Sequence, residues 1–232
     1  MDFKPIFKGI IDLFYPETCA GCAISLTDQE YGICVRCLAK LPLTDFHEYQ
    51  ENPVYISLSL KIPITAASSA LYFKKGNLVQ KILHEIKYKN AWKAARILGR
   101  YYGNLLTDKD FFKEIDLIIP VPIHHKRLEK RGFNQSEEFA LGLSEVLQIE
   151  VDTTSLIRQK NSESQSHKSR EERFDLLKGD FKILREDKIR NRRVLLVDDL
   201  ITTGATLEAC GQLILSISGT TLKISTLAYT II

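Results

Sequence analysis

The sequence lacks any apolar run long enough to cross a lipid bilayer. Its first residues also lack the basic start, the continuous apolar core and the small-residue cleavage site of a signal peptide. A large excess of charge is missing too, since the formal net charge of +3 is too small to indicate a nucleic-acid partner by itself. We therefore expect a cytoplasmic globular protein, whose 232 residues allow one large domain or a medium domain with a small appendage.

The apolar and basic residues follow helical patterns in two places. Near the N-terminus, apolar residues at helical spacing favour a helix that packs on the protein's own body, with a membrane surface as the alternative. They are Phe3, Ile6, Phe7, Ile10, Leu13 and Phe14. Over 78–106 a longer helical pattern, which Asn90 interrupts, carries several cations, among them Lys81 and Lys87. These cations are interpreted as a solvated face, and a surface for nucleic acid or pyrophosphate is the alternative.

Four of the five cysteines form two CxxC pairs, Cys19 with Cys22 and Cys34 with Cys37, which eleven residues separate. Each pair puts two thiolates on a tight turn, and two such turns complete a tetrahedral zinc site. Two disulfides are the alternative, but they need an oxidising compartment, for which the sequence offers no export signal. Because four thiolate ligands leave no open position on the metal, the zinc is predicted to be structural.

The stretch from Val194 to Leu207, VLLVDDLITTGATL, carries the strongest indication of function. Its four apolar residues predict a buried parallel strand, and the small hydroxyl residues with one glycine predict a turn into a helix. The N–H groups at a helix N-terminus form a phosphate site. Between strand and turn, Asp198 and Asp199 can grip neighbouring hydroxyls of a sugar. The alternative is a strand that ends in two surface acids before a capped helix.

A second strand–loop–helix pattern precedes this stretch. Residues 116–121, DLIIPV, predict a buried strand, and a helix is predicted to begin near Ser136, with Asn134 or Ser136 as its N-cap. The loop between them holds His124, His125, Lys126, Arg127 and Arg131. Its two histidines could act as a general base for an acceptor, but adjacent loop histidines are interpreted as exposed bystanders.

The VDDLITTGAT stretch resembles the 5-phosphoribosyl-1-pyrophosphate (PRPP) motif of type I phosphoribosyltransferases. The resemblance implies that Asp198 and Asp199 bind the ribose 2- and 3-hydroxyls. It also implies that the following loop wraps the 5-phosphate. That loop comprises Thr202, Thr203, Gly204, Ala205 and Thr206. The basic loop with Lys126, Arg127 and Arg131 would then receive the pyrophosphate, with Mg²⁺ bridging pyrophosphate and ribose hydroxyls.

Taken in order, the four-cysteine module, PVP…RGFNQ and VDDLITTGAT resemble the ComF family, also described as the GntX-like group, over nearly the whole chain. The resemblance implies a role in natural transformation and the handling of incoming single-stranded DNA. PRPP, single-stranded DNA and DNA-uptake helicase or recombination proteins are the implied partners. In type I enzymes a flexible segment, the hood, closes over bound PRPP. Residues 158–181 occupy the corresponding position in this chain, so the resemblance implies that Arg158 and Arg173 bind the donor.

Strands near 66–73, 116–121, 150–154, 194–198 and 222–230 alternate with helices. We therefore expect an α/β fold, a parallel-sheet type I phosphoribosyltransferase-like domain over 64–232. The N-terminal helix and zinc-ribbon-like module would occupy 1–42, and 43–63 would be an irregular connecting segment.

Two functions follow as hypotheses. The first is a PRPP-binding phosphoribosyltransferase-like protein associated with DNA uptake, which transfers the sugar to an undefined acceptor. The second is a non-catalytic module that senses PRPP or holds single-stranded DNA. A scaffold that has lost ligand binding is disfavoured, because the acids and the Thr/Gly loop are intact.

Overall fold

A computed structural model describes residues 16–160 and 179–231 of the chain. Its strands are β1 (Ala66–Phe73), β2 (Leu117–Pro120), β3 (Leu156–Arg158), β4 (Phe181–Ile183), β5 (Arg193–Ile201) and β6 (Thr221–Thr230). Four of them form a sheet in the order β1-β6-β5-β2, in which all neighbours are parallel. The remaining two, β3 and β4, pair antiparallel beside it. The prediction of a parallel α/β sheet is confirmed.

Helices cover both faces of this sheet. They are α1 (Val35–Leu38), α2 (Pro53–Ser59), α3 (Leu78–Tyr88), α4 (Trp92–Leu106), α5 (His125–Arg131), α6 (Gln135–Leu147), α7 (Glu186–Ile189) and α8 (Ala205–Leu215). Along β5, Leu195 and Val197 join the apolar cluster of α3, α4 and α6, whereas Val194 and Leu196 join that of α2 and α8. All four side chains are fully buried, and each such burial stabilises the fold by about 1.5–3 kcal/mol.

The closest helix pair is α4 with α6, which meet through two glycines. A Cβ atom on Gly99 would lie 2.3 Å from the carbonyl oxygen of Phe139, and one on Gly142 would lie 2.1 Å from that of Arg96. No side chain larger than hydrogen fits at this crossing. The glycines therefore let the two backbones approach each other directly.

The long helical pattern over 78–106 is confirmed, together with its interruption. The helices α3 and α4 are separated at Asn90, whose φ of 58° lies in the left-handed region. Asparagine tolerates this conformation better than most residues, since its short polar side chain bonds locally. The chain therefore turns here and lays α4 beside α6.

The sequence suggested that the segment 43–63 is irregular, but the structure has the helix α2 within it. Asn52 caps α2 by accepting hydrogen bonds from the N–H groups of Val54 and Tyr55, and Pro53 occupies the first helical position. Proline suits that position because its φ is already helical and its missing N–H would have no partner there. The side chains of Val54 and Leu58 are fully buried against the sheet, so this helix belongs to the core.

The expected strand at 150–154 is wrong, since the structure has a single parallel bridge between Val151 and Ile118 there. Asp152 ends the extended backbone by accepting hydrogen bonds from the N–H groups of Thr154 and Ser155, which turns the chain. The expected N-terminal helix and most of the hood lie outside the described residues. Within residues 16–160 and 179–231, none of the helices has the length and apolar character that a membrane crossing requires.

Candidate functional site

The four cysteines of the CxxC pairs converge as the sequence predicted. Their Sγ atoms all lie within 4.8 Å of one another, and those of Cys22 and Cys34 are 3.7 Å apart. A tetrahedron with zinc–sulfur bonds of about 2.3 Å has sulfur–sulfur distances of about 3.8 Å. The Sγ atom of Cys19 accepts hydrogen bonds from the N–H groups of Gly21 and Cys34, which favour a thiolate. The four residues therefore fit a closed zinc site.

This cysteine module, residues 16–41, rests on the N-terminal ends of α3 and α4. The ring of Tyr31 meets that of Trp92 edge to face at 6.3 Å, and the ammonium of Lys93 lies 4.8 Å above the Tyr31 ring. Glu17 forms an ion pair with the same lysine. Gly32 lies so close to α4 that a Cβ atom there would be 2.5 Å from the backbone nitrogen of Ala94. The module is therefore seated on the helices that flank the sheet.

The acidic pair lies near the carboxyl end of β5, where the sequence placed it. Asp198 is 9% exposed and Asp199 is 6% exposed. Successive residues of a strand point to opposite faces, and the two carboxylates accordingly have different partners. Asp198 Oδ1 accepts hydrogen bonds from Ser136 Oγ at 2.9 Å and from the Asp199 N–H at 2.8 Å. Asp199 Oδ2 lies 2.5 Å from Nζ of Lys87, which belongs to α3.

The two acids differ in charge state because of these partners. Burial, followed by the neighbouring charge of Asp199, raises the pKa of Asp198 to about 7. Burial is the largest influence on Asp199 and acts to raise its pKa, but the charge and hydrogen bond of Lys87, the hydrogen bond of Gln135 and the charge of Arg131 together hold that pKa below its usual value. In return, the carboxylate raises the pKa of Lys87 despite the burial of its ammonium. The two carboxylates therefore differ in their tendency to ionise, and Asp199 favours the charged form.

The Thr/Gly loop opens a helix, as the sequence predicted. Gly204 is the N-cap of α8 with φ of 78°, and a Cβ atom there would lie 2.9 Å from Cδ2 of Leu58 in α2. Lys61 Nζ donates a hydrogen bond to the carbonyl oxygen of Thr203 at 3.2 Å, and it lies 3.5 Å from a carboxylate oxygen of Glu208. The first-turn N–H groups of α8 thus stand at the positive end of its dipole, on a loop held in place by α2.

The predicted basic loop is instead largely the helix α5. His124 begins it by accepting a hydrogen bond from the Lys126 N–H at Nδ1, and Gly132 ends it with φ of 84°. The expectation that this histidine is an exposed bystander is wrong, since it is 4% exposed; its neighbour His125 is exposed. Burial, then the neighbouring His125, lowers the pKa of His124. This histidine therefore has a structural role at the helix start.

The predicted cations of α5 differ in their exposure and in their contacts. Lys126 is exposed and Arg127 is half-buried. Arg131 donates a hydrogen bond to the side chain of Gln135, and its positive charge contributes to lowering the pKa of Asp199. The C-terminal end of α5 therefore acts electrostatically on the acidic pair through Arg131.

Of the two predicted hood arginines, only Arg158 lies in the described part of the chain. Its Nη2 atom is 3.2 Å from Oδ2 of Asp180, and its guanidinium lies 5.2 Å from the centre of the Phe181 ring. These contacts hold it at the junction of β3 and β4. Arg173 lies outside the described residues, so its role stays a prediction.

Three site residues were missed by the sequence analysis. Lys87, Lys61 and Ser136 reach the acids or the Thr/Gly loop through contacts with residues far away in the chain. Ser136 was identified only as a possible N-cap, although Asn134 caps α6 and Ser136 bonds Asp198. Lys87 was assigned to a solvated face, which its ion pair with Asp199 contradicts.

Comparisons with known proteins identify the C-terminal half. A profile of the phosphoribosyl transferase domain matches residues 131–231. Competence protein F of Haemophilus influenzae is 32% identical over 137 residues, which cover 57% of this chain and 60% of that protein. DNA utilization protein YhgH of Escherichia coli O157:H7 is 33% identical over 156 residues, which cover 65% of this chain and 66% of that protein. The chain thus spans less than two thirds of the length of either relative.

One solved structure with a similar course of the chain is a glutamine PRPP amidotransferase from B. subtilis complexed with ADP and GMP. It is 18% identical, covers 61% of this chain and 30% of its own, and has a TM-score of 0.41. That score is too low to define a fold.

Proposed function

Because the chain belongs to the ComF family, we propose that its phosphoribosyltransferase domain binds PRPP and that the protein serves DNA uptake. The observation that carries the proposal is the placement of a buried acidic pair, whose second member lies five residues before the glycine N-cap of a helix. A ribose 5-phosphate presents vicinal hydroxyls and a phosphate, and these two features suit its two ends. Arg131 stands beside the acids, where a pyrophosphate group would need a cation.

In this proposal, each part of the chain binds one part of the donor. Asp198 and Asp199 accept hydrogen bonds from the ribose hydroxyls, and the first-turn N–H groups of α8 bind the 5-phosphate. The positive charges of Arg131, Lys126 and Arg127 stabilise the negative charge of the pyrophosphate. Mg²⁺ bound together with the donor would neutralise negative charge on the pyrophosphate leaving group.

Transfer to an acceptor would break the bond between C1 and the pyrophosphate oxygen and form a bond between C1 and the acceptor atom. The chain contributes to such a displacement by positioning and by fixed charge. His124 is an unsuitable general base for the acceptor, since it is buried and caps α5. The acceptor would therefore need to be a good nucleophile in its own right, and PRPP binding without turnover is equally compatible with this arrangement.

Calorimetric titration of PRPP with Mg²⁺ tests the binding. Asp198→Asn together with Asp199→Asn keeps the shapes of the side chains and removes their charge, and we expect PRPP binding to fall at least a hundredfold. Unchanged thermal unfolding and unchanged zinc content would show that the fold persists. Full PRPP affinity in this double variant would contradict the proposed site.

A second function, the binding of single-stranded DNA, is favoured by the exposed face of α3. The rings of His84 and Tyr88 lie 4.9 Å apart, and Tyr88 is 71% exposed. Lys81 and Lys89 are exposed on the same helix, and a cleft of about 410 Å³ separates this face from the cysteine module. Aromatic rings stack on bases for about 1–3 kcal/mol per base, while lysines bind the phosphates.

Fluorescence anisotropy with an oligo-dT strand tests this second function. We expect Tyr88→Ala to weaken binding about fivefold or more, corresponding to about 1 kcal/mol of lost stacking. The affinity should also fall steeply with salt, because the lysines release counterions from the strand. Equal affinity of the variant and the wild type would exclude this face. DNA-uptake helicase and recombination proteins remain predicted partners that follow from the family alone.

A further inference from the structure

Lys87 lies in the donor site although it lies outside residues 131–231, which the domain profile matches. It belongs to the last turn of α3, and its side chain is 25% exposed. Its Nζ atom lies 2.5 Å from Oδ2 of Asp199 at the carboxyl end of β5. The N-terminal part of the chain therefore supplies a charged group directly to the acidic pair.

The position of Lys87 on its helix explains how it reaches the acid. It follows the buried Leu83 by one helical turn and comes directly after the fully buried Ile86. The aliphatic stem of a lysine can continue such an apolar stripe while its ammonium emerges at the end. Lys81 and Lys89, in contrast, are exposed on the same helix, and Lys89 pairs with Glu85.

The acidic pair needs a cation, because two adjacent buried carboxylates repel each other and burial favours their neutral forms. The groups around the pair come from several elements. They are Lys87 of α3, Arg131 of α5, Ser136 of α6 and Cys210 of α8, with Arg158 of β3 near Cys210. Of the cations in this set, Lys87 has the largest effect on Asp199. Its charge therefore favours the carboxylate form of Asp199 more than the charge of any other cation in this set does.

We propose that Lys87 is a positioning residue of the donor site, whose ion pair holds the Asp199 carboxylate so that it can accept a hydrogen bond from a ribose hydroxyl. The inference deepens the proposed PRPP binding and rests on it. The lysine takes the place of a counter-ion that the protein would otherwise have to acquire from solution. A glutamine in its place would remove the positive charge and leave burial to raise the pKa of Asp199.

The test compares three variants by calorimetric titration of PRPP with Mg²⁺ between pH 6 and pH 9. Lys87→Gln should weaken binding about tenfold or more at pH 7, and the loss should shrink as the pH rises and Asp199 is deprotonated. Lys87→Arg should restore most of the affinity, since it restores the charge. Lys75→Gln removes the same charge from an exposed position just before α3 and should bind PRPP like the wild type.

A second measurement does not depend on PRPP. The carboxyl ¹³C resonance of Asp199 should titrate below the usual range in the wild type and above it in Lys87→Gln, while the amide spectrum shows an unchanged fold. An unshifted Asp199 titration, or an equal loss of PRPP affinity at every pH, would overturn the inference. If wild-type protein fails to bind PRPP while the titration shifts as expected, the positioning by Lys87 stands and the donor function is excluded.

Discussion

The crossing of α4 and α6 allows a quantitative test of the fold. In Gly99→Ala, the new methyl group would lie 2.3 Å from a backbone oxygen, about 1 Å short of the ordinary contact distance of 3.4 Å. Because backbone atoms cannot rotate away, the helices must separate, at a cost near the upper end of the usual range of about 1–3 kcal/mol. Alanine recovers about 1 kcal/mol of helix propensity. We expect a net loss of about 2 kcal/mol, or about 4–8 °C in Tm.

Urea unfolding of zinc-loaded protein measures this loss, and Gly103→Ala on the same helix is the matched control. There the new methyl group would lie 3.0 Å from Cβ of Val146, a side chain that can adjust. The propensity gain should offset that contact, so the control should stay within about 1 kcal/mol of the wild type. Equal stability of Gly99→Ala and Gly103→Ala would refute the role of the crossing.

Three further predictions concern stability. Cys22→Ser should lower the bound zinc, measured by metal analysis, well below one equivalent per chain, and it should reduce Tm. One full equivalent of zinc in this variant would show that Cys22 is not a ligand. The pKa of Asp116 is lowered to about 2, chiefly by the hydrogen bond from Arg193, so the stability from this pair is present above about pH 4 and is lost as the pH falls towards 2. As the pair is partly exposed, Asp116→Asn should cost about 1 kcal/mol or less by urea unfolding at pH 7, and the cost should be smaller at pH 2. Leu58→Ala should lower the free energy of unfolding by about 2–5 kcal/mol, because it leaves a cavity. It should also weaken PRPP binding, because Leu58 packs against Gly204. Undiminished PRPP affinity would show that α2 does not hold the Thr/Gly loop in place.

The parts of the site that are local in the chain could be predicted from the sequence. The acids, the Thr/Gly turn and the start of α8 lie within one continuous stretch, where strand and helix patterns follow each other directly. The four cysteines are also local, since two tight turns suffice to bring them together. Each of these features depends on spacing alone, and the structure confirms their arrangement.

The missed residues depend on packing between distant segments. Lys61 bonds Thr203 across 142 positions, and Ser136 bonds Asp198 across 62. Helical periodicity placed Lys87 with the exposed lysines. Its ion pair depends on Asp199 of β5, and the sequence of α3 alone gives no sign of that partner. The short helices α2 and α5 were missed for another reason, since each is decided by one capping side chain.

The order of the strands sets a minimum size for a folding unit. The profile match begins at Arg131, so a truncated chain with that boundary would keep β5 and β6 but lose β1 and β2. In the full sheet β1 pairs with the outer edge of β6, and β2 pairs with the outer edge of β5. Both flanks of the remaining ribbon would expose unpaired peptide groups, and exposed edges of this kind recruit further strands. Such a truncation should precipitate on expression, although it contains the whole sugar-phosphate motif.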